Sequence, residues 1–440
     1  MRDAKDHLGA LDLLEAPDVW EEALTRRPSP EGETSETVRR GPQRVLAAVV
    51  AIGIFAGAAL FAVRAFNAAE DRVHSSPTVS APGDTHGVWQ PVPAPPIPFR
   101  EGAAGFWVDG RVVIVGGSDE APSCPRLANC AGGGQPPLLD GAAYEPSTGT
   151  WTKIAPSPMP VLPYAGAVVG DVVYIWGSTD GFTEETLLAF DVNDDQWREF
   201  PLPPGPHRPT GLMLTTASDL VLAYADSQER GVTPDALFDP STGEWSPLPL
   251  DPLVPSFDRS IVWTGNELVL IAPEVEPPQV ASYVRRVATY DIARGTWRRL
   301  PNSPSMGDPI WFWSGGRVVN PEIGHVGDNG SVAGTGPPYG GIFDPSTSAW
   351  SELPPPPERL APYGGPSVGG SRYVVTEQGA ILDVEAGAWE ALPATPTQAD
   401  EQAVAVWAGD RLIVWGGYRW NRTETAAEMV DAGWLWIPSG

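Results

Sequence analysis

The sequence predicts an all-β protein: a closed ring of seven blades, each a four-stranded antiparallel sheet, preceded by one transmembrane helix. Three observations carry this reading. An acid preceded by an apolar residue, usually aromatic, and followed six residues later by tryptophan recurs along the chain, first as Tyr144-Glu145…Trp151. Paired apolar runs are joined by short turn signals at seven places. The nineteen residues from Val45 to Val63 contain no charged or polar side chain.

The segments before the repeats come first. Residues 1–44 form a polar tail with one short helix, in which Asp18-Val-Trp-Glu21 has the spacing of a capping box and Pro28 is the stop. Val45–Val63, at ~1.5 Å per residue, nearly matches a ~30 Å hydrocarbon core, so residues 45–64 are assigned as the span. Arg26, Arg27, Arg39, Arg40 and Arg44 precede it, and Arg64 and Arg72 follow closely. The positive-inside rule then puts the N-terminus in the cytoplasm and the rest outside the cell membrane. A cleaved signal peptide is the competing reading, but its apolar region is usually ~7–15 residues behind a short basic start. Residues 65–85, rich in Ser, Pro and charge, read as a tether, and residues 86–440 as the ring.

Within the ring the motif returns as Phe190-Asp191…Trp197, Phe238-Asp239…Trp245, Tyr290-Asp291…Trp297, Phe343-Asp344…Trp350 and Leu382-Asp383…Trp389. Prolines follow each tryptophan, and the same signature opens the domain at Trp89-Gln-Pro91-Val-Pro93. The hairpin turns are Asp109-Gly110, Gly170-Asp171, Ser218-Asp219, Gly265-Asn266, Gly315-Gly316, Gly369-Gly370 and Gly409-Asp410. Most of these pairs favour positive φ, the chemistry of two-residue hairpins. Trp-to-Trp intervals from Trp89 to Trp389 are 62, 46, 48, 52, 53 and 39. Either Trp89 or Trp434 could complete the last blade, and Trp89 is favoured because an N-terminal strand there ties the two ends together.

Gly116-Gly117 and Gly416-Gly417 close second strands, with the aromatic–acid…Trp pattern downstream. Together these resemble kelch repeats of the galactose-oxidase type over residues 86–440, in the layout of membrane-anchored bacterial kelch-type proteins. Central copies depart from the pattern, since Tyr224-Ala225-Asp226 and Ile271-Ala272-Pro273 lack the double glycine. The galactose-oxidase resemblance would imply copper held by a Cys–Tyr crosslink, a second Tyr and two His. Here the ring holds only His86, His207 and His325, and Cys124 and Cys130 lie six positions apart in one segment. No catalytic residue, metal ligand or cofactor is therefore assigned. An exported ring makes a Cys124–Cys130 disulfide the expectation, with two free thiols as the alternative in a reducing compartment.

A net charge of -27 excludes nucleic acid as a partner. The repeated acids read as acceptors for turn N–H groups, and the repeated tryptophans as wedges between blades. Alternating strand direction puts the hairpin and aromatic–acid turns on one rim. The longer segments 118–139, 178–186, 273–283, 320–338 and 418–425 fall on the other, where binding usually resides. The lead-ins to the innermost strands carry Arg100, Tyr164, Arg208, Arg259, Asp308, Tyr363 and Asp400. The three arginines could meet a carboxylate or other anion, or could pair with Asp308, Asp400, Glu101 or Asp258. The expectation is a non-catalytic binding module with a protein or glycan ligand on the long-loop face. The alternatives are a carbohydrate-active enzyme, or a sensor signalling through the N-terminal tail.

Overall fold

The computed structural model describes residues 87–126, 137–160, 162–178, 185–203, 212–225, 235–253, 258–276, 280–304, 310–323 and 340–439. The tail, Val45–Val63 and the tether lie outside them, as do Cys130, Arg208, Asp308, His86, His207 and His325. Among the described residues no helix is long and apolar enough to cross a membrane.

Seven four-stranded antiparallel sheets make up the ring. β1 (Val88–Pro91) belongs to the last of them. Blade 1 is β2 (Ala104–Val108), β3 (Arg111–Val115), β4 (Gly141–Glu145) and β5 (Thr150–Lys153). Blade 2 is β6 (Leu162–Val169), β7 (Val172–Ser178), β8 (Glu185–Asp191) and β9 (Gln196–Phe200). Blade 3 is β10 (Leu212–Ala217), β11 (Leu220–Ala225), β12 (Ala236–Asp239) and β13 (Glu244–Pro247). Blade 4 is β14 (Ser260–Trp263), β15 (Leu268–Glu276), β16 (Val280–Asp291) and β17 (Thr296–Leu300). Blade 5 is β18 (Phe312–Ser314), β19 (Arg317–Asn320), β20 (Gly341–Asp344) and β21 (Ala349–Ser351). Blade 6 is β22 (Val368–Gly369), β23 (Tyr373–Val375), β24 (Ala380–Asp383) and β25 (Ala388–Ala391). Blade 7 takes β26 (Val404–Ala408) and β27 (Arg411–Trp415), then, after a small hairpin of β28 (Tyr418–Trp420) and β29 (Ala427–Met429), β30 (Gly433–Ile437).

The ring closes in blade 7, whose order is β26-β27-β30-β1. Both candidate tryptophan strands are used. β1 is the outermost strand, with Trp89 opposite Trp436, and the Trp434 segment is the third strand, not a rival for the fourth place. Gly87 and Ser439 meet at the same rim, where the Gly87 amide donates to the Ser439 hydroxyl at 2.7 Å.

The middle strands read as near-continuous apolar runs because both faces of each sheet are covered by neighbouring blades. In β4, Ala142 and Tyr144 pack towards blade 7 while Ala143 between them packs towards blade 2. Buried clusters of this kind occupy all seven seams, so the core is a ring of wedges.

The seven repeated tryptophans lock these seams. Each Nε1–H donates to a backbone carbonyl of the preceding blade's exit segment. The pairs are Trp151 to Pro93, Trp197 to Ala155, Trp245 to Pro201, Trp297 to Pro249, Trp350 to Pro301, Trp389 to Pro354 and Trp89 to Pro393, at 2.7–3.3 Å. Every acceptor stands four residues after the preceding blade's own tryptophan, so the bonds form a closed cycle. Five of the rings also pack on the aromatic residue opposite in the third strand, at 4.8–5.0 Å between centroids.

Five of the six repeated acids accept turn N–H groups as the spacing predicts, while the Glu145 carboxylate takes the Ser147 hydroxyl instead. Asp239 Oδ1 accepts from the amide and hydroxyl of Ser241, and Asp191 Oδ1 from the amides of Asn193 and Asp194. The Ser241 bonds, with help from Thr242, hold the Asp239 carboxyl below the ordinary aspartate value.

Four local expectations need correcting. The blade 4 hairpin turns over four residues, 264–267, in which Thr264 accepts from the Glu267 and Asn266 amides. In blade 6 Gly369 is a strand residue opposite Val374, and the turn is 370–372. Segment 273–283 is largely strand, because β15 and β16 extend as a ribbon past their blade with a register shift between Pro273 and Val275. Segment 418–425 begins the β28–β29 hairpin, tied by Asn421, which accepts from the Thr425 amide. Ser218, the least apt turn residue by type, adopts φ 64° in its two-residue turn.

Candidate functional site

All turns between first and second strands, and between third and fourth, lie on one rim and span two to four residues. The opposite rim carries the connections between second and third strands, including 116–140 and 416–432. It also carries the lead-ins between blades, and so holds Arg100, Arg259 and Tyr363.

Arg100, Arg259 and Tyr363 are each tied into the fold by partners of their own. Arg100 is fully buried and braced within blade 1. Its Nη1 donates to the carbonyls of Gly116 and Asp140 at 3.1 and 2.9 Å, and its Nη2 to Asp140 Oδ1 at 2.9 Å. Arg259, also buried, reaches back to blade 3 instead. It pairs with both carboxylate oxygens of Asp235 at 3.1 and 2.7 Å, with Asp251 at 3.3 Å, and with the Ala225 carbonyl at 3.0 Å. The two arginines are not equivalent: Arg100 stands four residues before β2, whereas Arg259 directly precedes β14. Tyr363 is buried, and its hydroxyl donates to the Pro366 carbonyl. Tyr164 lies within β6, and Arg208 lies outside the described residues.

What the rim does assemble is a polar cluster over the seam between blades 7 and 1. Glu101 and Glu401 occupy matching positions. Each is bridged through its backbone to the residue after a double glycine, Glu101 to Ser118 and Glu401 to Tyr418. Each precedes a residue with positive φ, Gly102 at 63° and Gln402 at 60°. Gly117 and Gly417 let this happen. A Cβ on Gly117 would lie 2.4 Å from the Glu101 carbonyl, and one on Gly417 would lie 2.6 Å from that of Glu401. The kelch-like glycines therefore admit the lead-in backbone against the second strand.

The Glu401 carboxylate is heavily engaged. It accepts from the Tyr418 hydroxyl at 2.7 Å and from Trp420 Nε1 at 3.2 Å, and it pairs with Arg126 Nε at 3.1 Å. Arg126 comes from the 116–140 connection, and its Nη1 also pairs with Glu424 on the β28–β29 hairpin at 2.8 Å. Its backbone amide donates to the Glu424 carbonyl at 3.0 Å. Asp400 Oδ2 accepts from the Trp420 amide at 2.7 Å. Burial, and then the charge of Glu401, push the Glu101 carboxyl up to about 7. Burial, followed by the bond to Glu401, raises the Tyr418 hydroxyl.

Beside this cluster a cavity of about 310 Å³ opens among the innermost strands, lined by small residues such as Ala103, Gly105, Ala165 and Ala405, with Phe106 and Gln402. Among the described residues no group of three His, Cys, Asp or Glu side chains is arranged to hold a metal ion. Sequence reasoning named Glu101 only as a partner for arginine, and missed Arg126, Glu401, Tyr418 and Trp420 as a group. One signal was present: Glu101 and Glu401 each stand sixteen residues before the second glycine of the only two double-glycine second strands.

No protein-family model matches the chain. Among curated proteins it is similar to "Kelch-like protein 36" of Mus musculus, 27% identical over 183 residues, covering 37% of this chain and 27% of that protein. The same figures hold for "Kelch-like protein 36" of Rattus norvegicus. The chain thus spans about a quarter of the length of the curated relatives it matches. This partial likeness and the seven-bladed ring together support a kelch-type propeller.

Proposed function

We propose that this chain is a membrane-tethered, extracytoplasmic interaction module that binds a protein partner through its long-loop rim. A kelch-like propeller fold suggests protein interaction, and the observation that carries the reading here is the asymmetry of the two rims. One is closed by turns of two to four residues, while the other bears the 116–140 connection, the β15–β16 ribbon and the β28–β29 hairpin on a rigid ring. Val45–Val63 and the arginines before it support the single span and an N-terminus in the cytoplasm. Export of the ring would place Cys124 and Cys130 where a disulfide between them can form and persist.

The test pairs topology with binding. A reporter at the carboxyl end should register outside the cytoplasm. Surface cross-linking of the full chain should capture a protein that is lost when Thr423–Ala426 is replaced by glycine and serine, and kept when the 146–149 turn is so replaced. Capture unaffected by the first replacement would overturn the rim assignment. Turnover of a sugar, or capture abolished by glycosidase treatment alone, would move the reading to a carbohydrate enzyme or a glycan binder.

A further inference from the structure

We propose that the seam between blades 7 and 1 carries, on the short-turn rim, a cleft for a zwitterionic ligand: an amino acid or short peptide whose carboxylate meets Arg411 and whose ammonium meets Glu145 and Asp410. The site lies on the rim opposite the proposed partner face and does not depend on that assignment. A cavity of about 510 Å³ opens there, walled by Trp107, Asp109, Arg111, Glu145, Asp410 and Arg411. Its size falls within the roughly 300–1,000 Å³ typical of small-molecule clefts.

The next seam shows the same place closed. Arg111 opens β3 in blade 1 and crosses to the turn after the third strand of blade 2. Its Nη1 donates to the Val192 carbonyl at 3.3 Å, and its Nη2 to Asn193 Oδ1 at 2.8 Å and Asp109 Oδ2 at 2.7 Å. Arg411 opens β27 in blade 7 and faces the equivalent turn of blade 1, where Pro146 and Ser147 stand in the places of Val192 and Asn193. Ser147 is shorter than asparagine, and its hydroxyl turns back to donate to Glu145 Oε1 at 2.7 Å. The hairpin residues are also exchanged. Asp109 precedes Arg111 by two positions, whereas the order Gly409-Asp410 puts the acid directly before Arg411. Asp410 Oδ1 then lies 3.9 Å from Arg411 Nε, beyond hydrogen-bond reach, on a side chain 72% exposed. These differences leave a cavity where the neighbouring seam has a lock.

The charges left over select the ligand. Arg111 and Asp109 are spent on each other and on blade 2. That leaves one guanidinium, Arg411, and two carboxylates, Glu145 and Asp410, with no opposite charge at hydrogen-bond distance among the described residues. The Arg411 charge does act across the seam: burial raises the Tyr144 hydroxyl of blade 1, and Arg411 opposes that rise. A simple anion in this cleft would meet the carboxylates, and a simple cation the guanidinium. A molecule carrying both charges satisfies each side without a mismatch. Trp107, partly buried in the same wall, supplies apolar surface for the rest of it.

Titration calorimetry of the full chain with trialanine tests this. The peptide with both ends free should bind at one site per chain. Acetylating its amino end, or amidating its carboxyl end, should each weaken binding roughly tenfold or more, because each removes a charge-assisted contact. Arg411→Gln should bring the free peptide down to the level of the amidated one and leave the amidated one unchanged. Ser147→Asn supplies the acceptor that Arg111 has in Asn193 and should close the cleft. Binding then falls roughly tenfold or more, while the denaturation midpoint is no lower than the parent's. No saturable binding of trialanine, equal binding of free and capped peptides, or parent affinity retained in either variant overturns the site. Should Ser147→Asn fail to fold, the capped peptides and Arg411→Gln, which gives up no hydrogen bond among the described residues, decide the matter.

Discussion

At the scale of single residues, the chain spends its charged side chains on holding backbone in place. Arg259 shows how strongly. Its guanidinium sits between Asp235 and Asp251 with almost no exposure, so Arg259→Met would remove the buried cation that these two partly buried carboxylates share. Breaking such a pair costs about 3–5 kcal/mol, and urea denaturation should show that loss. A change under 1 kcal/mol would mean that water reaches Asp235 freely. The turn acids were legible in the sequence because their partners lie two or three residues away: Asp239 and Ser241 declare each other. The arginine braces were not, because Asp140 is 40 residues from Arg100 and Asp235 is 24 from Arg259. Nothing in local spacing tells an arginine awaiting a ligand from one bound by a distant strand. Likewise Arg126 and Glu401 become a pair only once the ring brings positions 275 apart together.

At the scale of elements, the unit of construction is the seam, and its fastener is one tryptophan. The recurrence of Trp was readable because the interval from acid to Trp is fixed by a four-residue turn. Its acceptor, four residues beyond the previous Trp, was present in the proline pattern without being recognised as one half of a bond. Trp245→Phe keeps the ring against Phe238 but removes the donor to the Pro201 carbonyl. A single net hydrogen bond is worth about 1 kcal/mol, and the loss should appear as a lower denaturation midpoint with an unchanged slope. A cost near zero would show that water replaces the bond without penalty. Hairpins were legible where two residues make the turn, as at Asp109-Gly110. They were misplaced in blade 6, where Gly369-Gly370 offers the right residue types one position early. The β15–β16 ribbon was hidden by Pro273 and by the charged residues between two runs that otherwise read as separate strands.

At the scale of the whole molecule, the sequence gives away the ring through its repeat, and even the closing strand through Trp89. What it could not disclose is that blade 7 is built from three C-terminal strands and one N-terminal strand while also carrying the extra hairpin. Removing residues up to Pro93 deletes β1 and two links of the tryptophan cycle, those made by Trp89 and accepted by Pro93. This truncation should abolish a single cooperative transition on heating, whereas cutting the chain before Gly87 should leave it intact. A truncated ring that melts as sharply as the parent would show that the closing strand is dispensable. The pairing of Trp89 with Trp436 also has a meaning in time. A ribosome makes this chain from one end, so the first strand of the ring must wait, with its hydrogen-bonding edge open, until β30 has been added. Six blades can form behind it, but none of them can accept it. The interval between the birth of β1 and that of β30 is when the molecule is most exposed to pairing with a stranger.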